Sequence, residues 1–233
     1  MTSILDRPTT DTARLATVPR VPHSRSPRPV GAPLPARPRL SDVHVTTPDL
    51  ALSDRPAAQV LRAVRLSAPV FRDEIAESTG LSISTVNRQV GALLKAGLIR
   101  ERSDLAPAGA VGRPRLPVEV SVAEHLTIGV HIGYKVTSIT AHDLLHRVVG
   151  AISVPTPADA GAENALTALA HSVAGFLSRW RNREIRWVGV ALGGRVHDGG
   201  VVDHPRLGWS QAEVGRIFAQ TLGYPVSVAS HVE

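Results

Sequence analysis

The stretch Thr79 to Ile99, TGLSISTVNRQVGALLKAGLI, decides how this chain is read. Ile83, Val86, Val90, Leu93 and Leu94 recur at helical intervals, so a helix starting near Ser82 can bury one stripe against a small core. Gly80 permits the positive-φ turn that ends a preceding helix, and the Ser82 hydroxyl can cap the next. The outward face then carries Ser84, Thr85, Asn87, Arg88 and Lys95. Short polar groups on the first turns with cations behind them suit a helix lying in the major groove of DNA, where polar groups reach base edges and cations hold phosphates. Any amphipathic surface helix also keeps a polar face, so the neighbouring segments have to decide.

Upstream, Asp54, Arg55 and Pro56 mark a helix start, with Leu61 and Val64 on one face, giving a first helix over Ser53 to Leu66. After Pro69, FRDEIAEST gives a short second helix with Ile75 and Ala76 inward, although Phe71 stands where a capping Ser or Thr is expected. Downstream, Leu98 to Arg102 and Leu116 to Val120 read as two strands around a Pro- and Gly-rich excursion. Three helices and a ribbon make a winged helix-turn-helix. The excursion contains Gly112, Arg113, Pro114 and Arg115, where glycine allows close approach, proline stiffens the loop and arginine fits a narrow minor groove. A basic hairpin tip that only meets solvent would read the same way out of context.

The chain has 233 residues, 43% of them hydrophobic, enough for more than one core. Its formal charge of +6 suits a polyanionic partner such as double-stranded DNA. Only Lys95 and Lys135 are lysines, so the cationic charge is nearly all arginine, as a GC-rich coding sequence produces, and its location is better evidence than its total. With no cysteine there is no disulfide, thiolate metal site or cysteine nucleophile, which is compatible with a cytoplasmic setting. No apolar run approaches the roughly twenty residues of a membrane span, and no signal-peptide core follows Met1.

Residues 1–50 mix Pro, Arg, Ser and Thr with few large apolar groups and are expected to be a disordered arm, either a basic tail with nonspecific phosphate affinity or an inert extension. Residues 51–120 form the winged domain. Residues 121–233 are then expected to form an α/β lobe. Strands are expected at Leu126 to Ile132, Val136 to Asp143 and Val148 to Val154 as a meander, followed by a helix from Ala162 to Trp180 and a strand from Ile185 to Leu192. An irregular segment runs to Leu207, Gly208 and Trp209. Ser210 and Glu213 suggest a capping box, Gly223 stops the helix, and Pro225 to Ala229 starts a last strand.

The order of a winged helix, a GRP wing, IGVHIG, VGVALGGRV, LGW and YPVSVASHVE resembles the ROK family, named for repressors, open reading frames and sugar kinases, over about residues 54–233. The resemblance implies α/β plus winged helix: an N-terminal winged helix-turn-helix followed by the first lobe of an actin-like ATPase/sugar-kinase (ribonuclease H-like) fold. It also implies a repressor that binds its operator as a homo-oligomer and responds to a sugar or sugar phosphate. Kinase members carry Asp-x-Gly-Gly-Thr at the phosphate end; here His131, Ile132, Gly133, Tyr134 and Lys135 stand instead. Their Glu-Asn-Asp-Ala-Asn segment aligns with Ala229, Ser230, His231, Val232 and Glu233, so His231 takes the place of the catalytic carboxylate. A site without those groups is not expected to transfer phosphate. Gly193 and Gly194 match the family's Pro-Gly beside the sugar.

The expectation is therefore a DNA-binding regulator with no catalytic residue, cofactor or metal. Ser84, Thr85, Asn87, Arg88 and Lys95 with Arg113 and Arg115 would serve DNA, and Gly193, Gly194, His231 and Glu233 an effector. His142 and His146, four apart, would share a face only on a helix, and this region reads as strand and turn. The last strand ends where the second lobe of the fold is expected to begin. A divergent sugar kinase and a degenerate remnant are the alternatives.

Overall fold

The computed structural model describes residues 45–46, 53–105 and 115–231. Its first element is the two-residue strand β1 (Val45–Thr46). This corrects the expectation for residues 1–50 at one point, since β1 pairs in parallel with a later strand; the rest of that arm lies outside the described residues.

Three helices follow: α1 (Pro56–Ser67), α2 (Arg72–Thr79) and α3 (Ile83–Lys95). α1 starts three residues later than expected because Pro56 fits the first helical turn, where no N–H is needed. Val60 and Val64 are fully buried, and Leu61 is only half-buried. The weak start of α2 is repaired from within: the Glu74 carboxylate accepts the Phe71 backbone N–H at 2.8 Å, the half of a capping box that needs no Ser or Thr. Gly80 ends α2 at φ +70°, its N–H donating to the Ala76 carbonyl, and Ser82 Oγ accepts the Thr85 N–H at 3.2 Å to start α3. Val86, Val90 and Leu93 are buried as expected. Ile83 is not; it stands at the first turn, on the flank of the stripe, and is 50% exposed.

Strands β2 (Ile99–Glu101) and β3 (Val118–Val120) pair antiparallel with Ile99 opposite Val120, and Val70 bridges to Val118, closing a ten-residue apolar core. Gly112, Arg113 and Pro114 lie outside the described residues.

The lobe is built on β4 (His125–Ile132), β5 (Val136–His142), β6 (Val148–Pro155), α4 (Ala162–Leu177), β7 (Glu184–Leu192), β8 (Arg195–His197), β9 (Val201–His204), β10 (Trp209–Ala212), α5 (Val214–Leu222) and β11 (Val226–Ser230). The main sheet runs β1-β11-β7-β4-β5-β6, with β4, β5 and β6 as the expected antiparallel meander and β7 and β11 parallel to β4. Alternate residues of one face, including Ile128, Val130, Ile139, Val188, Val190 and Val228, are buried in a core with Leu166, Leu169, Val173, Phe176 and Phe218 of α4 and α5. The last turn of α4 tightens to a 3₁₀ turn at Ser178–Trp180, leaving Trp180 half-buried edge-on to Phe176.

Two expectations fail here. The segment after Leu192 is not irregular: β10, β9 and β8 form a second, three-stranded sheet. Its strands are three or four residues long, too short for a period to show. Ser210 and Glu213 do not form a capping box, because Ser210 lies in β10; Glu213 flanks α5 and pairs with Arg216 instead.

Phe218 is fully buried on α5, so Phe218→Ala should lower stability by about 3 to 5 kcal/mol in urea unfolding. A loss below about 1 kcal/mol would mean that α5 is not part of the core.

Candidate nucleic-acid interface

The outward face of α3 presents Ser84, Asn87, Arg88 and Lys95, all exposed. Thr85 is half-buried and engaged in the cap, its Oγ1 accepting from Ser82 Oγ at 3.0 Å, so it is less available than the sequence suggests. Arg88 and Lys95 meet no carboxylate in an ion pair among the described residues.

The cations at the root of the ribbon are different. Arg115 is exposed but pairs with Asp73 of α2, and its guanidinium lies 5.6 Å from the centre of the Phe71 ring. Arg115 in turn holds the Asp73 carboxyl below its ordinary pKa. Arg72 pairs with Glu101 at 2.7 Å, Arg100 with Glu119, and Arg102 with both Glu119 and Asp104. Partial burial pushes the Glu119 carboxyl up, but Arg102 and Arg100 outweigh it and the net shift is downward. A phosphate reaching Arg115 therefore has to displace a carboxylate, whereas one reaching Arg88 or Lys95 does not. Arg113 and Glu233 lie outside the described residues.

Helix α3 is joined to the lobe by a buried histidine. His125, 2% exposed at the start of β4, has Nε2 3.0 Å from the carbonyl of Ala96, the residue that ends α3. A carbonyl only accepts, so Nε2 carries the proton in this bond and Nδ1 accepts the Arg186 Nε–H at 3.2 Å. Glu184 lies 3.5 Å from the same Nδ1. Gly97 turns beneath Glu124 at φ +68°, and Leu144, from the turn between β5 and β6, packs against the winged-helix core. No sequence period announces this junction; the only sign was a histidine at the end of an apolar run.

At the opposite end of β4 the lobe gathers a second set of groups. His131 and His231 have ring centres 5.0 Å apart, and the His231 N–H donates to the Leu192 carbonyl at 3.1 Å. A Cβ on Gly193 would come within 3.0 Å of His204 Nε2 and 3.6 Å of the His231 ring. Gly193 and His231 are thus brought together, with His131 and His204 beside them. His204 escaped the sequence reading because the segment around it showed no pattern. Gly194 has a plainer role: at φ +91°, a Cβ would lie 2.2 Å from the Asp203 carbonyl, so the turn itself requires glycine.

Tyr134 and Lys135 line a shallow crevice of about 600 Å³ with Thr156 and Pro157, and the Arg206 guanidinium covers the Tyr134 ring at 4.7 Å. His142 is bonded to Thr140 Oγ1 at 2.9 Å.

Residues 72–100 match a family model described as winged helix-turn-helix DNA-binding. A transcriptional regulator of Mycobacterium tuberculosis is 59% identical over 191 residues, covering 82% of this chain and 43% of the relative. The DNA-binding transcriptional dual regulator NagC of Escherichia coli is 28% identical over 142 residues, 60% of this chain and 34% of the relative. A solved ROK family transcriptional regulator, a homologue of the Escherichia coli MLC protein, superposes with a TM-score of 0.62 at 19% identity, over 75% of this chain and 44% of that one. The chain is similar to these transcriptional regulators and shares the fold of the solved ROK family regulator. It spans less than half the length of these relatives, and the likeness to the solved regulator shows the shared fold, a winged helix followed by the α/β lobe. No helix among the described residues is long and apolar enough to cross a membrane.

His125→Ala leaves the Ala96 carbonyl and the Arg186 Nε–H without their partner and should cost roughly 1 to 3 kcal/mol in thermal or denaturant unfolding. Unchanged stability would remove the bond from the account. Burial lowers the His204 pKa, aided by His231 and Arg206 and opposed by a backbone hydrogen bond. A lowered folded pKa means that the unfolded chain binds the proton more readily. The His204 contribution is therefore complete above its ordinary value near 6.5 and fades as pH falls through the folded value. Between pH 7 and 5 the wild type should lose melting temperature faster than His204→Asn; parallel curves would contradict this.

Proposed function

We propose that this chain is a DNA-binding transcriptional regulator, probing an operator with α3 and the wing, whose lobe supplies one wall of a sugar or sugar-phosphate effector site. The observation that carries the reading is the face of α3: Ser84, Asn87, Arg88 and Lys95 are exposed together, with the two cations unopposed by carboxylates among the described residues. Support comes from the regulators named above, of which NagC is a DNA-binding one. Ser84, Asn87 and Arg88 contact base edges, Thr85 mainly shapes the start of the helix, and Lys95 contacts phosphate. Arg113 enters the minor groove, and Arg115 either holds the wing against α2 or exchanges Asp73 for a phosphate.

On this reading the protein acts as a homo-oligomer in the cytoplasm and is a repressor of carbohydrate-related genes. It is not a kinase. The resemblance drawn from the sequence aligns His131 and His231 with carboxylates of kinase members and Tyr134, which lies under Arg206, with a small residue of their phosphate site. Gly193 and His231 remain the groups that an effector would touch, now with His131 and His204; Glu233 is part of the same proposal.

A duplex selected by the protein from a randomised pool provides the test, titrated at fixed salt in the presence of competitor DNA. Arg88→Ala and Arg113→Ala should each weaken binding by about 1 to 3 kcal/mol if they contact bases. Failure of the wild type to select any duplex would overturn the reading.

A further inference from the structure

Most of the described glycines have a reason inside the molecule. Gly80, Gly97, Gly194, Gly200 and Gly223, among others, sit at positive φ, and at Gly133, Gly150 and Gly215 a Cβ would press into a neighbour. Gly91 has neither reason. It lies in the interior of α3 with ordinary helical backbone, is exposed, and a Cβ there would meet nothing within 4 Å. A helix-interior glycine is a liability, because it loses the most backbone entropy on ordering and contributes no packing. It is costliest in a helix of 13 residues that must hold its shape to read a groove.

Its place on the helix supplies the missing reason. Seven residues before it stands Ser84, four and three before it Asn87 and Arg88, and four after it Lys95, so at 100° per residue Gly91 falls in the middle of the polar face. Val86, Val90 and Leu93 hold the opposite side. We infer that Gly91 is a docking notch: the missing side chain lets the wall of a DNA duplex come against the α3 backbone, while Arg88 and Lys95 grip on either side. Gly91 is a positioning residue, setting how deep the helix sits and therefore which base edges Asn87 and Arg88 reach. This rests on the DNA-binding reading above.

Gly175, near the end of α4, provides an internal control. It too is helical and exposed with an empty Cβ position, but it lies on the lobe and away from α3. Alanine at either site should raise helix propensity alike. Only at Gly91 should it harm binding.

The experiment uses the full chain, a duplex that the wild type selects from a randomised pool, fluorescence anisotropy at fixed salt, thermal unfolding and gel filtration. Gly91→Ala should melt at or above the wild-type temperature yet bind more weakly. Gly91→Gln, which forms helix well but is larger, should bind roughly tenfold more weakly or worse, the size of a lost base contact. Gly175→Ala should match the wild type on DNA. The notch is overturned if Gly91→Ala and Gly91→Gln bind as the wild type does while Arg88→Ala is weakened. It is also overturned if the Gly91 variants change oligomeric state, which would make the glycine a contact between copies of the chain. If the wild type selects no duplex, the DNA-binding reading itself has failed, an outcome distinct from both.

Discussion

The bond from the His125 imidazole to the carbonyl that ends α3 is the constraint on which the rest of the arrangement depends. A buried imidazole must satisfy both nitrogens, and here one partner comes from the winged helix and the other from β7. Neither unit can rotate against the other without leaving a buried polar group unpaired. Leu144 reinforces the junction by giving apolar area to the winged-helix core from the lobe. The strand that begins at His125 ends beside His131, six residues away, about 20 Å at the rise of an extended strand. One strand thus touches the end of α3 at one end and the histidine cluster at the other. A ligand that shifted β4 would have to strain the His125 junction or move α3 with it.

Charge inside the winged helix is arranged unevenly, and the formal +6 does not reveal this. Arginines at the root of the ribbon are tied to Asp73, Glu101, Asp104 and Glu119, and these exposed pairs organise the ribbon more than they stabilise it. Arg88 and Lys95 of α3 form no such ion pair among the described residues. Unopposed positive charge therefore lies on the same face as Ser84 and Asn87.

Much of the winged helix was legible because each part has a local cause. Ser82 caps, Gly80 turns, and Val86, Val90 and Leu93 fall on one stripe, so the sequence and the structure agree closely from Gly80 to Lys95. The meander and α4 were legible for the same reason. What escaped had non-local or very short causes. Strands β8 and β9 turn on Gly199 and Gly200, and β9 and β10 on Gly208, conformations that leave no periodic trace, and the Ser210 and Glu213 pattern misled because tertiary pairing placed Ser210 in a strand. Ile83 obeyed the helical period but lay on the flank of the core. His125 and His204 gain their roles only when distant segments meet, and single-sequence patterns carry no record of such meetings.

The histidines gathered at the far end of β4 bear on what kind of chemistry this lobe can host. His131 and His231 have ring centres 5.0 Å apart, with the rings tilted to each other. Beside them stands His204, whose pKa burial lowers. Imidazole rings can donate and accept hydrogen bonds to hydroxyls. The cluster therefore offers polar hydrogen-bonding groups at one end of β4, the strand whose other end carries the His125 junction to α3.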